Sequence, residues 1–184
     1  MEILPFLFGF VFVGVIYGLM AYNRFVNQKQ LVDNAWSTVE TELTRRHDLI
    51  PNLVETVRGY AAHERETLEA VVNARTRATS FHDTMADQAD DENQLIGATQ
   101  RLLALSEAYP DLKADQSFLA LHHELVGTEN RIQAARRFYN SNVRELNRRV
   151  QSIPSNIVAR LTRIESQEYY EIEEAVDRLP PSAR

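Results

Sequence analysis

Between Ile3 and Asn23 the chain carries no charged residue, and all 20 lysines and arginines lie at Arg24 or later. Few folds accept such a stretch. As a helix, ILPFLFGFVFVGVIYGLMAY (Ile3 to Tyr22) reaches across a hydrocarbon core of roughly 30 Å at 1.5 Å per residue. Pro5 falls in the first turn, where its missing N–H costs little, and Tyr17 and Tyr22 approach the far interface. A cleaved signal peptide fits less well. The segment ahead of the run has Glu2 and no lysine or arginine, and the run exceeds the usual apolar core of about 7–15 residues. The reading is an uncleaved single-pass anchor. Arg24 and Lys29 come directly after it, which puts the N-terminus outside and the rest in the cytoplasm, beneath the inner (cytoplasmic) membrane. Gly14 and Gly18 form a GxxxG, a spacing that lets two membrane helices approach closely.

Composition narrows the remainder. A formal net charge of −6 argues against a dedicated nucleic-acid binder. The absence of cysteine excludes disulfides, thiolate metal sites and cysteine nucleophiles.

After Arg24 the apolar pattern is helical. Val32, Trp36, Val39, Leu43, Ile50, Leu53, Val57, Tyr60, Leu68, Val71 and Ala78 recur mostly in steps of three or four, and no stretch alternates with period two. Pro51 interrupts this stripe without shifting its phase. Asp48 is placed to cap a restarted helix, so residues 24–79 read as one kinked helix or as two joined at His47–Ile50. The acidic stretch Phe81 to Glu92 reads as a solvated connection. Leu95, Thr99, Leu102, Ser106 and Tyr109 then mark a second helix, stopped at Pro110-Asp111, and Asp115 is a good N-cap for the next. From His122 through Leu125, Glu129, Ile132, Arg136, Tyr139, Val143, Leu146 and Val150 to Ile153, steps of three and four alternate, as in a bundle or coiled-coil seam. Pro154 ends that helix and Ser155 starts a short one. Tyr169, Ile172, Val176 and Leu179 suggest a small amphipathic helix in the tail. The expected architecture is all-α: an anchor over 1–23, an antiparallel up-down bundle of about four long helices over 24–160, and an acidic tail over 161–184.

Charges at stripe positions are the anomaly. Arg46, Glu64 and Arg75 fall in the first stripe, Glu129 and Arg136 in the long helix. An unpartnered buried charge is costly, so pairs such as Arg46–Glu129 or Glu64–Arg136 are expected, fixing helix register or holding a partner. Arg137, Arg144 and Arg148 share one face of the long helix, a candidate basic face for anionic lipid, an acidic partner or the chain's own acidic tail.

Motifs that carry chemistry are missing. The glycines support neither GxGxxG nor a P-loop. No histidine comes three residues after a glutamate, as a di-iron bundle requires, and His63-Glu64 lacks the second histidine of a zincin. His122 and His123 diverge by about 100° on a helix and do not face one ion together. No catalytic residue, metal ligand or cofactor site is assigned, and the chain reads as a non-enzyme.

Several stretches resemble the LemA family of small bacterial membrane proteins: Tyr22-Asn23, Ala35-Trp36-Ser37, RRHDLIPNLVETVRGYAAHE (45–64), ALSEAYPDLKADQSF (104–118), ELVGTENRIQAARRFYN (124–140) and IPSNIVA (153–159). The resemblance covers roughly 1–160. It implies one N-terminal membrane helix, an outside N-terminus and a cytoplasmic helical bundle, but no activity and no catalytic residues. Some relatives occupy specialised bacterial membrane compartments, and genes of the family often neighbour membrane proteases. Where such proteins tend to carry Gly-Phe, this chain has Arg163-Ile164. The expectation is a membrane-anchored helical scaffold that forms a homo-oligomer. The alternatives are an adaptor or regulator of a membrane protease, another membrane protein or a signalling complex, and a metal- or ligand-binding bundle.

Overall fold

The computed structural model describes residues 3–171, with side chains from residue 8 onward. Among them the structure is helical, without strands: α1 Ile3–Tyr60, α2 Arg65–Ala78, α3 Met85–Ala104, a 3₁₀ turn Leu105–Glu107, α4 Pro110–Ala114, α5 Gln116–Gln151 and α6 Ser155–Thr162. These residues group into two compact units. One takes 3–38 and 135–169, the other 39–134 and 170–171, so α1 and α5 each contribute to both.

α1 changes character along its length. From Phe8 to Met20 it is apolar on every side, and its large side chains are exposed among the described residues. It is long and apolar enough to cross a membrane. From Ala21 onward a buried stripe takes over: Ala21, Phe25, Gln28, Val32, Ala35, Val39, Leu43, Arg46, Ile50, Leu53 and Val57. Those steps of three and four keep one face on a neighbouring helix.

Pro51 neither breaks α1 nor starts a new helix. The interruption lies at Ala61–Glu64, not at His47–Ile50, and Asp48 sits inside the helix. A mid-helix proline removes the hydrogen bond to the carbonyl four residues back, here that of His47. Arg75 of α2 supplies the missing donor: its Nε–H reaches the His47 oxygen at 2.7 Å. A tertiary contact restores what the local sequence removes.

The stretch 81–92 is shorter as a connection than its acidity suggests. Thr84 caps α3 by accepting the Asp87 N–H at 3.1 Å, which draws Asp87 and Asp90 to Glu92 into the helix. A threonine N-cap with an acid three residues on suits the positive end of a helix dipole. Pro110 starts α4 rather than stopping α3, which has already ended in the 3₁₀ turn. Asp115 caps α5, its Oδ1 accepting the Phe118 N–H at 2.9 Å.

The α5 stripe is buried at Leu125, Ile132, Tyr139, Val143 and Leu146, but its predicted ends, His122 and Ile153, are exposed. α6 begins directly after Pro154, as expected. In the tail, Tyr169 lies in non-helical chain, and Ile172, Val176 and Leu179 fall outside the described residues.

Each unit has its own adhesive. In the 39–134 unit, Ile50, Leu53, Val57, Leu68, Val71, Leu95, Leu102, Leu112 and Phe118 form one buried cluster. Each such side chain contributes about 1.5–3 kcal/mol relative to exposure. The contacts Glu42–Arg131, Arg46–Glu129 and Tyr60–Asp115 run in opposite sequence directions, so α1 and α5 are antiparallel here.

In the other unit, Trp36 packs on Tyr139 with ring centroids 5.3 Å apart, and Gln28 Nε2 donates to the Asn142 carbonyl at 3.0 Å. Asn147 and Gln167 exchange two bonds: Nδ2–H to the Gln167 carbonyl at 2.9 Å, and the Gln167 N–H back to Oδ1 at 2.8 Å. Tyr139 donates to the Glu168 carbonyl at 3.0 Å. Burial, then the nearby charges of Glu168 and Asp33, push the Tyr139 phenol above its ordinary pKa, so it stays a donor. These bonds hold the non-helical 164–169 segment along α5.

Candidate functional site: a charged brace between three helices

Three apolar stripes in the 39–134 unit each carry one charged residue. In α1 it is Arg46, between Leu43 and Ile50; in α3 Glu92, one step before Leu95; in α5 Glu129, between Leu125 and Ile132. Where the stripes meet, the charges meet.

Arg46 Nη1–H donates to Glu129 Oε2 at 2.7 Å, and Nη2–H to Glu92 Oε2 at 2.5 Å. His47 Nε2 lies 2.8 Å from the other Glu92 oxygen. The Glu92 side chain is 0% exposed and that of Arg46 5%. Both Glu92 oxygens are engaged, whereas the buried Arg46 Nε has no hydrogen-bond partner. Arg75, bound to the His47 carbonyl, ties α2 to the same turn of α1. The cluster thus links four helices through one arginine and its neighbour. With its carboxylate oxygens and guanidinium faces turned on one another, it is chemically a brace.

Of the charges singled out in the sequence, Arg46 and Glu129 bond directly and Arg75 joins them through the backbone. Glu64 is not a stripe residue. It lies in the break after α1, where its Oε1 accepts the Tyr109 hydroxyl at 3.1 Å in place of the expected Arg136. That bond raises the Tyr109 pKa. Arg136 is half-buried on the part of α5 that belongs to the other unit.

Glu92 is the residue sequence reasoning missed. Its acidic neighbours Asp90 and Asp91 made it look solvated. The signal was present: the stripe Leu95, Thr99, Leu102 continued back by three residues lands on Glu92.

A second polar contact closes the end of α1. Tyr60 donates to Asp115 Oδ2 at 2.9 Å while the other Asp115 oxygen caps α5. The Phe118 N–H and then the Tyr60 hydroxyl hold the Asp115 carboxyl below the usual aspartate range, and the same bond raises the Tyr60 pKa.

The candidate basic face is only partly free. Arg148 is engaged by Glu145 at 2.9 Å, which raises the pKa of Arg148 and lowers that of Glu145. Arg137 and Arg144 are exposed and make no ion pair among the described residues. Gly14 and Gly18 lie on the uncovered part of α1, and a Cβ added at either meets nothing within 4 Å. Among the described residues no three of His, Cys, Asp and Glu come together as a metal would require.

The segments supplying these contacts lie in a span shared with other proteins. The LemA family model matches residues 35–183. Protein LemA of Metamycoplasma hominis is 26% identical over 153 residues, covering 83% of this chain and 67% of the relative. Magnetosome proteins MamQ 2 and MamQ 1 of Paramagnetospirillum magneticum are each 26% identical over 185 residues, covering 86% of this chain and 68% of theirs. The family match contains the whole brace: RRHD brings Arg46 and His47, GTEN brings Glu129, and Glu92 lies between them. The chain belongs to the LemA family.

Proposed function

We propose that this chain is a membrane-anchored helical scaffold that self-associates and carries out no chemistry of its own. The observation that carries the reading is the two-part α1. One unbroken helix is uncharged and uncovered over Phe8–Met20, then presents a buried stripe from Ala21 to Val57. Large apolar side chains left uncovered in this way are stable in a bilayer or against another chain. The same helix transmits that attachment directly to the packed part. In this reading the N-terminus lies outside and the helical body in the cytoplasm, which Arg24 and Lys29 directly after the run support. The brace serves register: a buried ion pair whose partners sit on separate helices penalises any slip that separates them.

The test is the mass of the detergent-solubilised full-length protein beside that of residues 24–184. A closed assembly of the full chain is expected, shrinking on Gly14→Ile if the span supplies the contact. Monomers in both would overturn self-assembly and favour an adaptor that needs a separate membrane-protein partner. A stoichiometric metal in the purified protein would overturn the non-catalytic reading.

A further inference from the structure

A cavity of about 340 Å³ opens where the uncharged part of α1 ends, lined by Tyr17, Met20 and Arg24 of α1 and by Arg148, Arg149 and Ser152 around the end of α5. Its chemistry is divided. Tyr17 and Met20, on one side, belong to the uncharged run and are exposed. Three arginines, Arg24 of α1 and Arg148 and Arg149 of α5, also line the cavity. Glu145 accepts from Arg148 at 2.9 Å and from Arg149 at 2.8 Å, leaving an excess of two positive charges. Capping the negative end of α5 accounts for Arg148 and Arg149. It does not account for Arg24, which is exposed and makes no ion pair among the described residues. Three arginines lining one cavity, offset by a single carboxylate, suit the oxygens of a phosphate, which arginine binds bidentately.

We infer that this cavity binds the phosphate of an anionic membrane phospholipid, with the acyl chains running along Tyr17 and Met20. Arg24 is the first cation after the uncharged run, so it stands at headgroup depth when that run fills the hydrocarbon core. The volume lies within the usual range for small-molecule sites, about 300–1,000 Å³. A free phosphate ion would leave the apolar side of the cavity unused. The inference rests on the anchor reading of α1.

The test is native mass spectrometry of the detergent-solubilised full chain offered equal amounts of phosphatidylglycerol and phosphatidylcholine with the same acyl chains. One phosphatidylglycerol per chain is expected to be retained in preference. Arg24→Gln should cut that preference about fivefold, the effect of one basic residue at a membrane surface. Ser152→Trp, which fills the cavity and keeps every charge, should abolish it. Arg137→Gln with Arg144→Gln, removing charge from exposed α5 surface, should leave it intact. No preference in the parent chain, an equal loss in that control, or retention unchanged by Ser152→Trp would overturn the site. Displacement of the lipid by inorganic phosphate, at an ionic strength where chloride has no effect, would reassign it to a soluble anion. Failure of the anchor reads differently: the chain would then not float with vesicles of phosphatidylcholine alone, whereas failure of the pocket leaves flotation unchanged.

Discussion

The two compact units solve the same packing problem with different chemistry. The 39–134 unit combines a large apolar cluster with a fully buried carboxylate and its arginine. In the 3–38 and 135–169 unit neutral contacts join segments far apart in the chain: Gln28 with Asn142, Asn147 with Gln167, Tyr139 with a backbone carbonyl. The difference lies in what a single deletion leaves behind. Removing one member of a buried ion pair strands a charge, whereas removing one amide strands a dipole. The charged unit therefore has sharply defined partners and a steep penalty for losing one. The amide-stitched unit tolerates more.

Glu92→Ala tests that contrast most severely. It leaves the buried Arg46 with only the partly exposed Glu129 as counter-charge and should destabilise the chain by about 3 kcal/mol in urea unfolding tracked by helicity. Replacing Arg46 by Met together with Glu92 by Leu should recover most of that loss. If the double variant is as unstable as the single one, the brace contributes stability beyond register. Next comes Arg75→Met, which orphans the His47 carbonyl that Pro51 has already deprived of its helix donor. The expected cost is about 1–3 kcal/mol. Adding Pro51→Ala should rescue it, since alanine returns the N–H. No rescue would show that Arg75 acts elsewhere.

Asn147→Ala in the amide-stitched unit should cost only about 1 kcal/mol, with faster hydrogen exchange at Gln167, whose N–H loses its acceptor. A loss as large as that of Glu92→Ala would erase the contrast.

Arg163→Gly goes the other way. Arg163 closes α6 at φ 55, ψ 38, the left-handed region, and the Ile164 N–H returns to the Ala159 carbonyl at 2.9 Å. A non-glycine residue is strained there, so glycine should raise stability by about 0.5–1 kcal/mol.

The smallest effect is in pH. Because the folded Asp115 carboxyl sits below its ordinary pKa, its contribution is present above the unfolded value and fades as pH falls through the folded one. Parent and Asp115→Ala chains should therefore differ in Tm at neutral pH and converge in acid. A constant difference would mean that Asp115 acts by packing rather than by charge.

How much of this was legible in the chain depends on the reach of each interaction. The α1 stripe was readable because buried positions recur every three or four residues whatever they pack against. Arg46 and Glu129 stood out because each interrupts such a stripe. Glu92 was hidden by two acidic neighbours, the exposed Asp90 and the half-buried Asp91, which pairs with His82. At Pro51 local rules predicted a kink or a restart, since they cannot include a guanidinium arriving from α2.

The uncharged Ile3–Asn23 run, the helical character of the chain beyond Arg24 and the cap at Asp115 are properties of neighbouring residues, and the sequence alone determined them. Which carboxylates meet Arg46, why α1 passes through Pro51 and that Arg24 lines one cavity with Arg148 and Arg149 were decided by tertiary structure. Each depends on groups far apart in the chain, and periodicity places a residue on a face without saying which residue faces it.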